Sequence, residues 1–414
     1  MIKRRYFLRL AAAGMAFPAF SNFIRTWFPF DNKDIVLTEE AMRIHRSAIV
    51  VDGHNDLPYK IRLKGPDAVE TLDLMINQPE FHTDIPRMLK GGVGAQFWVA
   101  IGWMGKQADG RTGQSICLEE IELIHKITKK YSSVLEMAYS ADDIINIRRE
   151  GKIASLIGIE GGNAIENSLE VLRRFYRLGA RYMTLTWGET IDWVDSATDR
   201  ARHGGLTKFG EKVVLEMNRL GILVDISHVS AEAMRDVLRV SQSPVIASHS
   251  SAFALAPTPR NVPDDVLHSI AKNGGIVMVN FYPGFLTRKG AKEDYLFWEY
   301  MLKLKTDAGL SEIELNKLLD KFNEEHPVPG CSVERVVDHI DHIVKIAGID
   351  HAGLGSDFDG ISYAPDYLKD VSFFPYITQV LLNRGYKEAD IHKILGGNFL
   401  RVFRMAEEKA PGNL

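Results

Sequence analysis

The stretch IVVDGHND, residues 49–56, is an apolar run that ends in polar and ionisable residues. Its first half predicts a buried strand, and His54 and Asp56 stand two positions apart at the carboxyl end of that strand. Side chains at positions i and i+2 of a strand point the same way, so the imidazole and the carboxylate project together. A neutral imidazole beside a carboxylate suits zinc or a similar divalent metal ion. The motif is weak by itself, because a His-x-Asp triplet also occurs by chance in surface loops.

The same pattern, an apolar run followed by a potential ligand, recurs further along the chain. Each run is short and interrupted by Gly or Ser, which is typical of a parallel strand buried on both faces. Charged groups at the ends of buried strands are costly unless they coordinate an ion or pair with each other. For any one of these residues alone, a role as a helix cap or a hydrogen-bonding group remains the alternative. The runs and the residues that end them are 153–159 with Glu160, 222–227 with His228, 244–248 with His249, and 352–356 with Asp357.

Strand and helix signals alternate from about residue 40 onward. This order predicts an α/β fold, a (β/α)8 TIM-like barrel formed by residues 40–410 as one domain, with the strand-end residues converging on one face. The predicted strands are 48–51, 94–101, 153–159, 182–186, 222–227, 245–248, 275–280 and 353–356. Amphipathic stretches that predict helices lie between them, at 168–178, 208–220, 231–240 and 263–272.

The segment 285–330, after the seventh predicted strand, is too long for a plain connection. It contains two helix-like stretches, 295–305 and 311–323, and is predicted to be a helical insertion beside the mouth of the barrel. A lid over the site and a simple surface decoration are both left open.

Composition excludes several classes of protein. The chain has 414 residues, 45% hydrophobic and 25% charged, with a formal net charge of −4, so nothing favours binding to nucleic acid or to an anionic membrane surface. Cys117 and Cys331 are the two cysteines, which excludes a disulfide framework and a cysteine zinc site. Buried or unpaired thiols are favoured, and one bridge is left open.

The first 30 residues differ from the rest and are predicted to be an export signal or an N-terminal anchor. Basic residues at 3–9 precede an apolar stretch at 10–17, which is the pattern of a secretory signal. Arg4 and Arg5 followed by Phe7 and Leu8 also resemble the twin-arginine export motif. The apolar stretch is shorter than the roughly 20 residues of a transmembrane helix. An exported protein, periplasmic or membrane-associated, is expected; a leader that is merely amphipathic or disordered is the alternative.

The ionisable strand ends together predict a metal centre. Five ligands are too many for one tetrahedral zinc with an open position, which usually takes three from the protein. Two zinc ions per chain that share one carboxylate fit better, because a Glu can bridge ions about 3.5–4 Å apart. Other barrel hydrolases bridge with a modified Lys on the fourth strand, but RYMTLTW, residues 181–187, contains none. The predicted metal ligands are His54, Asp56, Glu160, His228 and His249.

Asp357 is the predicted catalytic acid/base. A water that bridges two zinc ions becomes a nucleophile near neutral pH, because its pKa is lowered strongly. Asp357, at the end of the last strand, would take the proton of this hydroxide-forming water and pass it to the leaving amine. Asp359, two residues further on, is the alternative acid/base or a loop cap.

These motifs resemble the renal (membrane) dipeptidase family of zinc metallopeptidases. The main matches are GHND at 53–56, GIEG at 158–161, DISHVS at 225–230, ASHSS at 247–251 and GSDFDG at 355–360. Supporting matches are GAQFW at 94–98, MNRLG at 217–221, PRNV at 259–262 and GNFLRV at 397–402. The resemblance extends from about residue 50 to residue 402, and the combination of motifs is specific although each one alone is modest.

The resemblance implies a binuclear zinc barrel that hydrolyses dipeptides and tolerates a D-amino acid at the C-terminal position. It implies that His54 and Asp56 bind one zinc, that His228 and His249 bind the other, and that Glu160 bridges them. Small peptides are the implied substrates, and a homodimer is left open.

The resemblance also assigns substrate contacts. Asp357 matches the family's acid/base, and Arg260 matches the residue that grips the substrate's C-terminal carboxylate, a task suited to the guanidinium fork. A surface salt bridge is the alternative for Arg260. The family places a His after Leu-Thr beyond the fourth strand, whereas this chain has Trp187. Trp187 offers an apolar face and an indole N–H, so it favours a bulkier or more apolar N-terminal residue unless it is a wall residue without substrate contact.

Two other functions are compatible with parts of this pattern. A related amidohydrolase acting on N-acyl amino acids or cyclic amides would use the same metal site. A non-catalytic binding protein could keep the barrel without the reaction, but the presence of all five ligands and of Asp357 argues against it.

Overall fold

The computed structural model describes residues 34–410 except 66, 104–109 and 307–309. The chain divides into two compact units, Met1–Val36 and Leu37–Leu414. The predicted signal or anchor at residues 1–30 lies outside the described residues and stays a prediction. Among the helices that are described, none has both the length and the apolar character needed to span a bilayer.

The second unit contains a closed barrel of eight parallel strands, as the sequence predicts. The described part of the sheet has nine strands, and all of them except the third form the barrel. They are β1 (Val50–Asn55), β2 (Val93–Ile101), β3 (Leu135–Met137), β4 (Ile153–Glu160), β5 (Ala180–Thr184), β6 (Leu223–Asp225), β7 (Ile246–Ala247), β8 (Ile276–Val279) and β9 (Ala352–Leu354). Their order is β2-β1-β9-β8-β7-β6-β5-β4-β3, and the additional pairing of β2 with β4 closes the barrel. The short strand β3 was not predicted; it pairs only with the start of β4 and stays outside the barrel.

The helices surround this barrel. In chain order they are α1 (Glu39–Ser47), α2 (Leu57–Arg62), α3 (Ala68–Thr71), α4 (Ile85–Lys90), α5 (Gly113–Lys130), α6 (Ala141–Arg149), α7 (Leu169–Arg177), α8 (Lys208–Leu220), α9 (Ala231–Val240), α10 (Asp264–Asn273), α11 (Pro283–Leu286), α12 (Arg288–Thr306), α13 (Glu312–Glu325), α14 (Val333–Ala347), α15 (Phe374–Asn383), α16 (Glu388–His392) and α17 (Asn398–Lys409). The predicted helices correspond to α7 to α10, α12 and α13, and α12 begins seven residues earlier than expected.

Apolar side chains fill the barrel and the space beneath it. Phe97 of β2 packs against Tyr182 of β5 and against Phe399 of α17, so the C-terminal helix belongs to the same core as the strands. The ring of Tyr182 occupies the space beside Gly158, where an added Cβ would lie 2.1 Å from the ring. Gly158 is therefore required for Tyr182 to reach the inside of the barrel.

The insertion after β8 consists of α11, α12 and α13, and it covers a cavity at the carboxyl end of the barrel. Arg62 of α2 holds it in place: the guanidinium pairs with Glu312 of α13 and, at 2.6 Å, with Glu120 of α5. Asn316 of α13 also donates to the hydroxyl of Tyr59, at 2.7 Å. Of the two interpretations left open, surface decoration is therefore wrong.

The first and last strands of the barrel meet at the same end as this cavity. The backbone N–H of Asp357 donates to the carbonyl of His54 at 3.0 Å, and that of Asp56 donates to the carbonyl of Phe358 at 2.9 Å. Elsewhere in the fold, Cys117 and Cys331 are both buried and free, so the bridge that the sequence left open is not formed.

Candidate metal centre and active site

The five predicted ligands lie together at the ends of β1, β4, β6 and β7. One oxygen of Glu160, Oε1, lies 2.9 Å from Nε2 of His228 and 3.3 Å from Nε2 of His249. The same oxygen is 3.6 Å from Nε2 of His54, which is 3.5 Å from Oδ2 of Asp56. All five side chains are buried. Three imidazole nitrogens therefore converge on a single carboxylate oxygen.

These groups fit a divalent metal ion. Nε2 of His54 and Oδ1 of Asp56 are buried and have no hydrogen-bond partner within the part of the chain that the structure describes. Asp56 stands at the N-cap of α2 but its carboxylate makes no capping bond; Asn55 Oδ1 accepts from the N–H of Leu57 at 3.0 Å instead. The capping alternative is therefore wrong for Asp56. Imidazole nitrogens and carboxylate oxygens that lack hydrogen-bond partners inside a buried cavity are typical of a metal site.

Burial opposes charge on every one of these groups. It raises the pKa of Glu160 well above its usual range, with the charges of Asp56 and Asp357 adding to the effect. Burial likewise raises the pKa of Asp56 to about 7 and lowers the pKa values of His228 and His249 well below the usual range. A bound cation would lower the pKa values of the two carboxyl groups again, so that they would be ionised near neutral pH. The neutral imidazole is already the form of histidine that binds metal.

Asp357 lies in the same cavity beside His54 and Asp56, with potential ligand atoms of the three residues within 4.8 Å of one another. Asn280, at the end of β8, donates to Asp357 Oδ2 at 2.8 Å. Burial raises the pKa of Asp357 to about 7, a value suited to moving a proton near neutral pH. Its backbone has a φ of 61°, and left-handed backbone at a non-glycine residue concentrates at functional sites. An added Cβ at Gly360 would lie 2.4 Å from Asp357 Oδ1, so this turn needs glycine.

Asp359 has different contacts from Asp357. Its Oδ1 accepts from the N–H of His82 at 2.7 Å, and its own N–H donates to His82 Nδ1 at 2.9 Å. This reciprocal pair joins the loop after β9 to the segment before α4. Asp359 also lines the cavity, so both of the roles considered for it remain compatible with its position.

Arg260 is almost completely buried, with 1% of its surface exposed. The guanidinium lies over the ring of Phe285, with Cζ 4.9 Å from the ring centre. Its Nε and Nη1 lack hydrogen-bond partners among the described residues, and burial lowers its pKa. The surface salt bridge that the sequence left open is therefore wrong. A buried guanidinium with free donors, lining the same cavity as the proposed ligands, is suited to binding a carboxylate.

Trp187 lies in the loop after β5 and faces the cavity, whose volume is about 180 Å³. Its ring centre is 6.5 Å from that of His228, 5.6 Å from that of Trp103 and 6.3 Å from that of Trp298. Trp103, Trp187 and Trp298 together form an aromatic wall of the cavity. Trp187 and Trp298 lie beside the predicted ligand His228, with ring centres 6.5 and 6.3 Å from its ring centre, and Trp103 lies behind Trp187.

Sequence reasoning missed the polar residues behind the ligands. Each of these side chains is buried and hydrogen-bonded to a ligand, to Asp357 or to a neighbour of one. A weak signal was present, since a Ser immediately precedes both His249 and Asp357. The missed residues are Asp52, Gln96, Tyr182, Thr184, Asp225, Ser248, Asn280 and Ser356.

Comparison with known proteins agrees with this geometry. The family model described as membrane dipeptidase (peptidase family M19) matches residues 38–413. Dipeptidase 3 of Homo sapiens is 38% identical over 385 residues, which cover 92% of this chain and 70% of that protein. Dipeptidase 3 of Mus musculus is 38% identical over 377 residues, covering 90% and 67%. Among solved structures, the probable dipeptidase PvdM from Pseudomonas aeruginosa is 25% identical with a TM-score of 0.76, and the match covers 90% of this chain and 98% of that chain.

Proposed function

The chain belongs to the membrane dipeptidase family of metallopeptidases, zinc-dependent hydrolases that act on small peptides, and we propose that its cavity holds two zinc ions and hydrolyses the peptide bond of dipeptides. The observation that carries the proposal is the position of Glu160 Oε1, within 3.6 Å of Nε2 of three different histidines. A carboxylate that contacts imidazoles from the ends of β1, β6 and β7 is placed to act as a shared ligand.

We assign His54 and Asp56 to one zinc, His228 and His249 to the other, and Glu160 to both. Two zinc ions bound by these residues would lower the pKa of water and so supply a hydroxide nucleophile near neutral pH. The burial of all five side chains supports the assignment, because buried ionisable groups are costly unless they coordinate an ion or pair with each other.

In this proposal Asp357 takes the proton of the attacking water and delivers it to the leaving amine. The amide of Asn280 fixes one carboxylate oxygen of Asp357, at 2.8 Å, and leaves the other oxygen to face the substrate. Arg260 binds the C-terminal carboxylate of the dipeptide through its unpaired donors. The C-terminal residue can have the L or the D configuration, a tolerance supported by the sequence resemblance.

We further propose that the wall of Trp187, Trp103 and Trp298 contacts the N-terminal residue of the dipeptide. A large apolar surface next to His228 favours an apolar or aromatic side chain at that position. Export to the periplasm or to a membrane surface is part of the same proposal and rests on the basic and apolar residues at 3–17.

Metal analysis combined with a substrate panel tests the proposal. The purified protein should contain two zinc ions per chain and hydrolyse dipeptides, while N-acyl amino acids and cyclic amides are turned over poorly. Glu160→Gln should lower bound metal and activity together. A single tightly bound ion in fully active protein would contradict the binuclear site, and preference for a cyclic amide would favour the related amidohydrolase.

A further inference from the structure

We infer that two neighbouring hydrogen-bond relays set the tautomers of His54 and His249, so that each proposed zinc ion has its own positioning residues. The inference rests on the proposed zinc site and deepens it. The Asp225 relay consists of Asp225, Ser248 and His249, and the Tyr182 relay consists of Tyr182, the carbonyl of Gly53, and His54.

The Asp225 relay begins with a buried carboxylate surrounded by donors. Asp225 accepts from the hydroxyl of Ser248 at 2.6 Å, from the hydroxyl of Thr184 at 2.5 Å, and from two backbone N–H groups, those of Ser248 at 2.8 Å and Ser227 at 3.0 Å. A carboxylate bonded in this way acts only as an acceptor. The single proton of the Ser248 hydroxyl is therefore directed at Asp225.

The direction of that bond decides the state of the neighbouring imidazole. Oγ of Ser248 lies 2.7 Å from Nδ1 of His249. Since the hydroxyl proton of Ser248 points to Asp225, its oxygen must accept, and His249 must carry its proton on Nδ1. Nε2 of His249 is then left with its lone pair, 2.9 Å from Nε2 of His228 and 3.3 Å from Oε1 of Glu160, where the metal would bind.

The Tyr182 relay reaches the same result with different groups. The hydroxyl of Tyr182 donates to the carbonyl of Gly53 at 3.1 Å, lies 3.0 Å from Nδ1 of His54, and also contacts the side chain of Ser248 in the other relay. A backbone carbonyl can only accept, so the phenol proton is used there, and the phenol oxygen accepts from Nδ1 of His54. Nε2 of His54 is left as the free nitrogen, in agreement with its lack of a hydrogen-bond partner among the described residues.

Asp52 offers a matched control for these relays. It is as completely buried as Asp225 and has a similar set of donors, the hydroxyl and N–H of Ser356 at 2.6 and 2.7 Å and the amide of Gln96 at 2.9 Å. The backbone N–H of His54 also donates to Asp52, at 3.4 Å, but no imidazole ring takes part in this set. Substitution of Asp52 therefore removes a comparable set of hydrogen bonds between strands without changing the contacts of any imidazole ring.

The test measures stepwise zinc affinities by competition with a chromophoric chelator in wild-type protein, Ser248→Ala, Tyr182→Phe, their combination, and Asp52→Asn. Loss of a group that orients a metal-binding histidine typically weakens metal affinity 10- to 100-fold. We expect Ser248→Ala to weaken one of two sites by about this factor, Tyr182→Phe to weaken the other, and the combination to weaken both. Asp52→Asn should lower the thermal stability of the metal-free protein and should change either affinity much less than the relay variants do, because Asp52 contacts only the backbone of His54.

A second measurement reads the tautomers directly. In nitrogen-15 NMR of the metal-free wild type, His54 and His249 should be protonated on Nδ1, and each relay variant should lose this preference at its own histidine only. Asp225→Asn serves as a second variant if Ser248→Ala fails to fold. Two bound zinc ions with affinities unchanged in both relay variants would overturn the inference alone, whereas a wild type that binds one ion or none would overturn the proposed zinc site.

Discussion

The barrel and the insertion face the same cavity with different kinds of side chain. The strand ends contribute ionisable groups such as Glu160, His249 and Asp357, whereas α12 and α13 contribute five apolar side chains beside four polar ones. The insertion residues on the cavity side include Phe297, Trp298, Met301, Leu315 and Leu319. We propose that the barrel supplies the reacting groups and that the apolar side chains of the insertion help to select the substrate and to exclude water.

The largest effect is expected from a change at Asp357, the proposed acid/base at the end of the barrel. Asp357→Asn keeps the size of the side chain and removes the base, so kcat should fall by about 10²–10⁴-fold with both metals retained and KM little changed. Asp359→Asn is the matched control from the same loop and should cost much less. Loss of a metal from Asp357→Asn would make Asp357 a ligand, and a near-normal kcat would transfer the role to Asp359.

The second prediction concerns Arg260, in the loop after β7 that lies between the two regions. Amidation of the substrate's C-terminal carboxylate would leave a buried cation unpaired, at a cost of about 2–5 kcal/mol in kcat/KM. The comparison of a dipeptide with its C-terminal amide measures this effect. In Arg260→Met the two substrates should become nearly equivalent. Equal turnover of both by the wild type would show that Arg260 has another role.

His339 of α14 joins the two regions and makes their connection sensitive to pH. Its Nδ1 accepts from the N–H of Ala252, after β7, at 2.9 Å, and its Nε2 donates to the carbonyl of Leu286, in the insertion, at 3.1 Å. Burial lowers the pKa of His339 to about 4. Below about pH 6.5 the imidazole of His339 gains a proton in the unfolded chain but not in the folded one. Its contribution to the free energy of unfolding is therefore complete above about pH 6.5 and is lost as the pH falls towards 4.

The expected loss from His339 across that window is roughly 2–3 kcal/mol. Urea unfolding at pH 7 and at pH 4.5 measures it, with His339→Asn as the variant that lacks the titrating group. The variant should be less stable at pH 7 and should lose less stability on acidification than the wild type. Equal losses in the two proteins would assign the acid sensitivity to other groups, of which buried His45 is the next to test.

The smallest expected effect concerns Phe297, one of the apolar side chains that the insertion contributes to the cavity. Phe297→Ala should lower kcat/KM for a dipeptide with an aromatic N-terminal residue by about tenfold, as expected for losing roughly 1–2 kcal/mol of apolar contact. A dipeptide with N-terminal Gly should be affected little. Leu296→Ala, at the neighbouring exposed position of α12, is the control and should change neither substrate. A uniform loss for both substrates would indicate that the insertion shapes the site without selecting the side chain.

The barrel and its ligands were predictable because each strand carries its own signal. An apolar run that ends in His, Glu or Asp can be recognised locally, and the carboxyl ends of parallel strands meet at one face whatever the loops between them do. Glu160 and His249 are 89 residues apart in sequence and still meet for this reason.

The relays could not be predicted from the sequence in the same way. Asp225 contacts Ser248 and Thr184 only because β5, β6 and β7 lie side by side in one register, which local patterns do not specify. The helices of the insertion were predictable from their periodicity, but their position over the cavity depends on Arg62 and on its two buried carboxylates. The three-residue β3 is too short to show a period.

The pairing of β1 with β9 has a consequence for biosynthesis. A nascent chain on the ribosome that has reached the end of β8 already contains all five proposed ligands, but it lacks Asp357 and the strand that holds the edge of β1. The bonds between His54 and Asp357 and between Asp56 and Phe358 form only after the last strand has been synthesised. On the proposed mechanism, hydrolytic competence therefore requires the last strand, and fragments that end at β8 should be inert towards peptides.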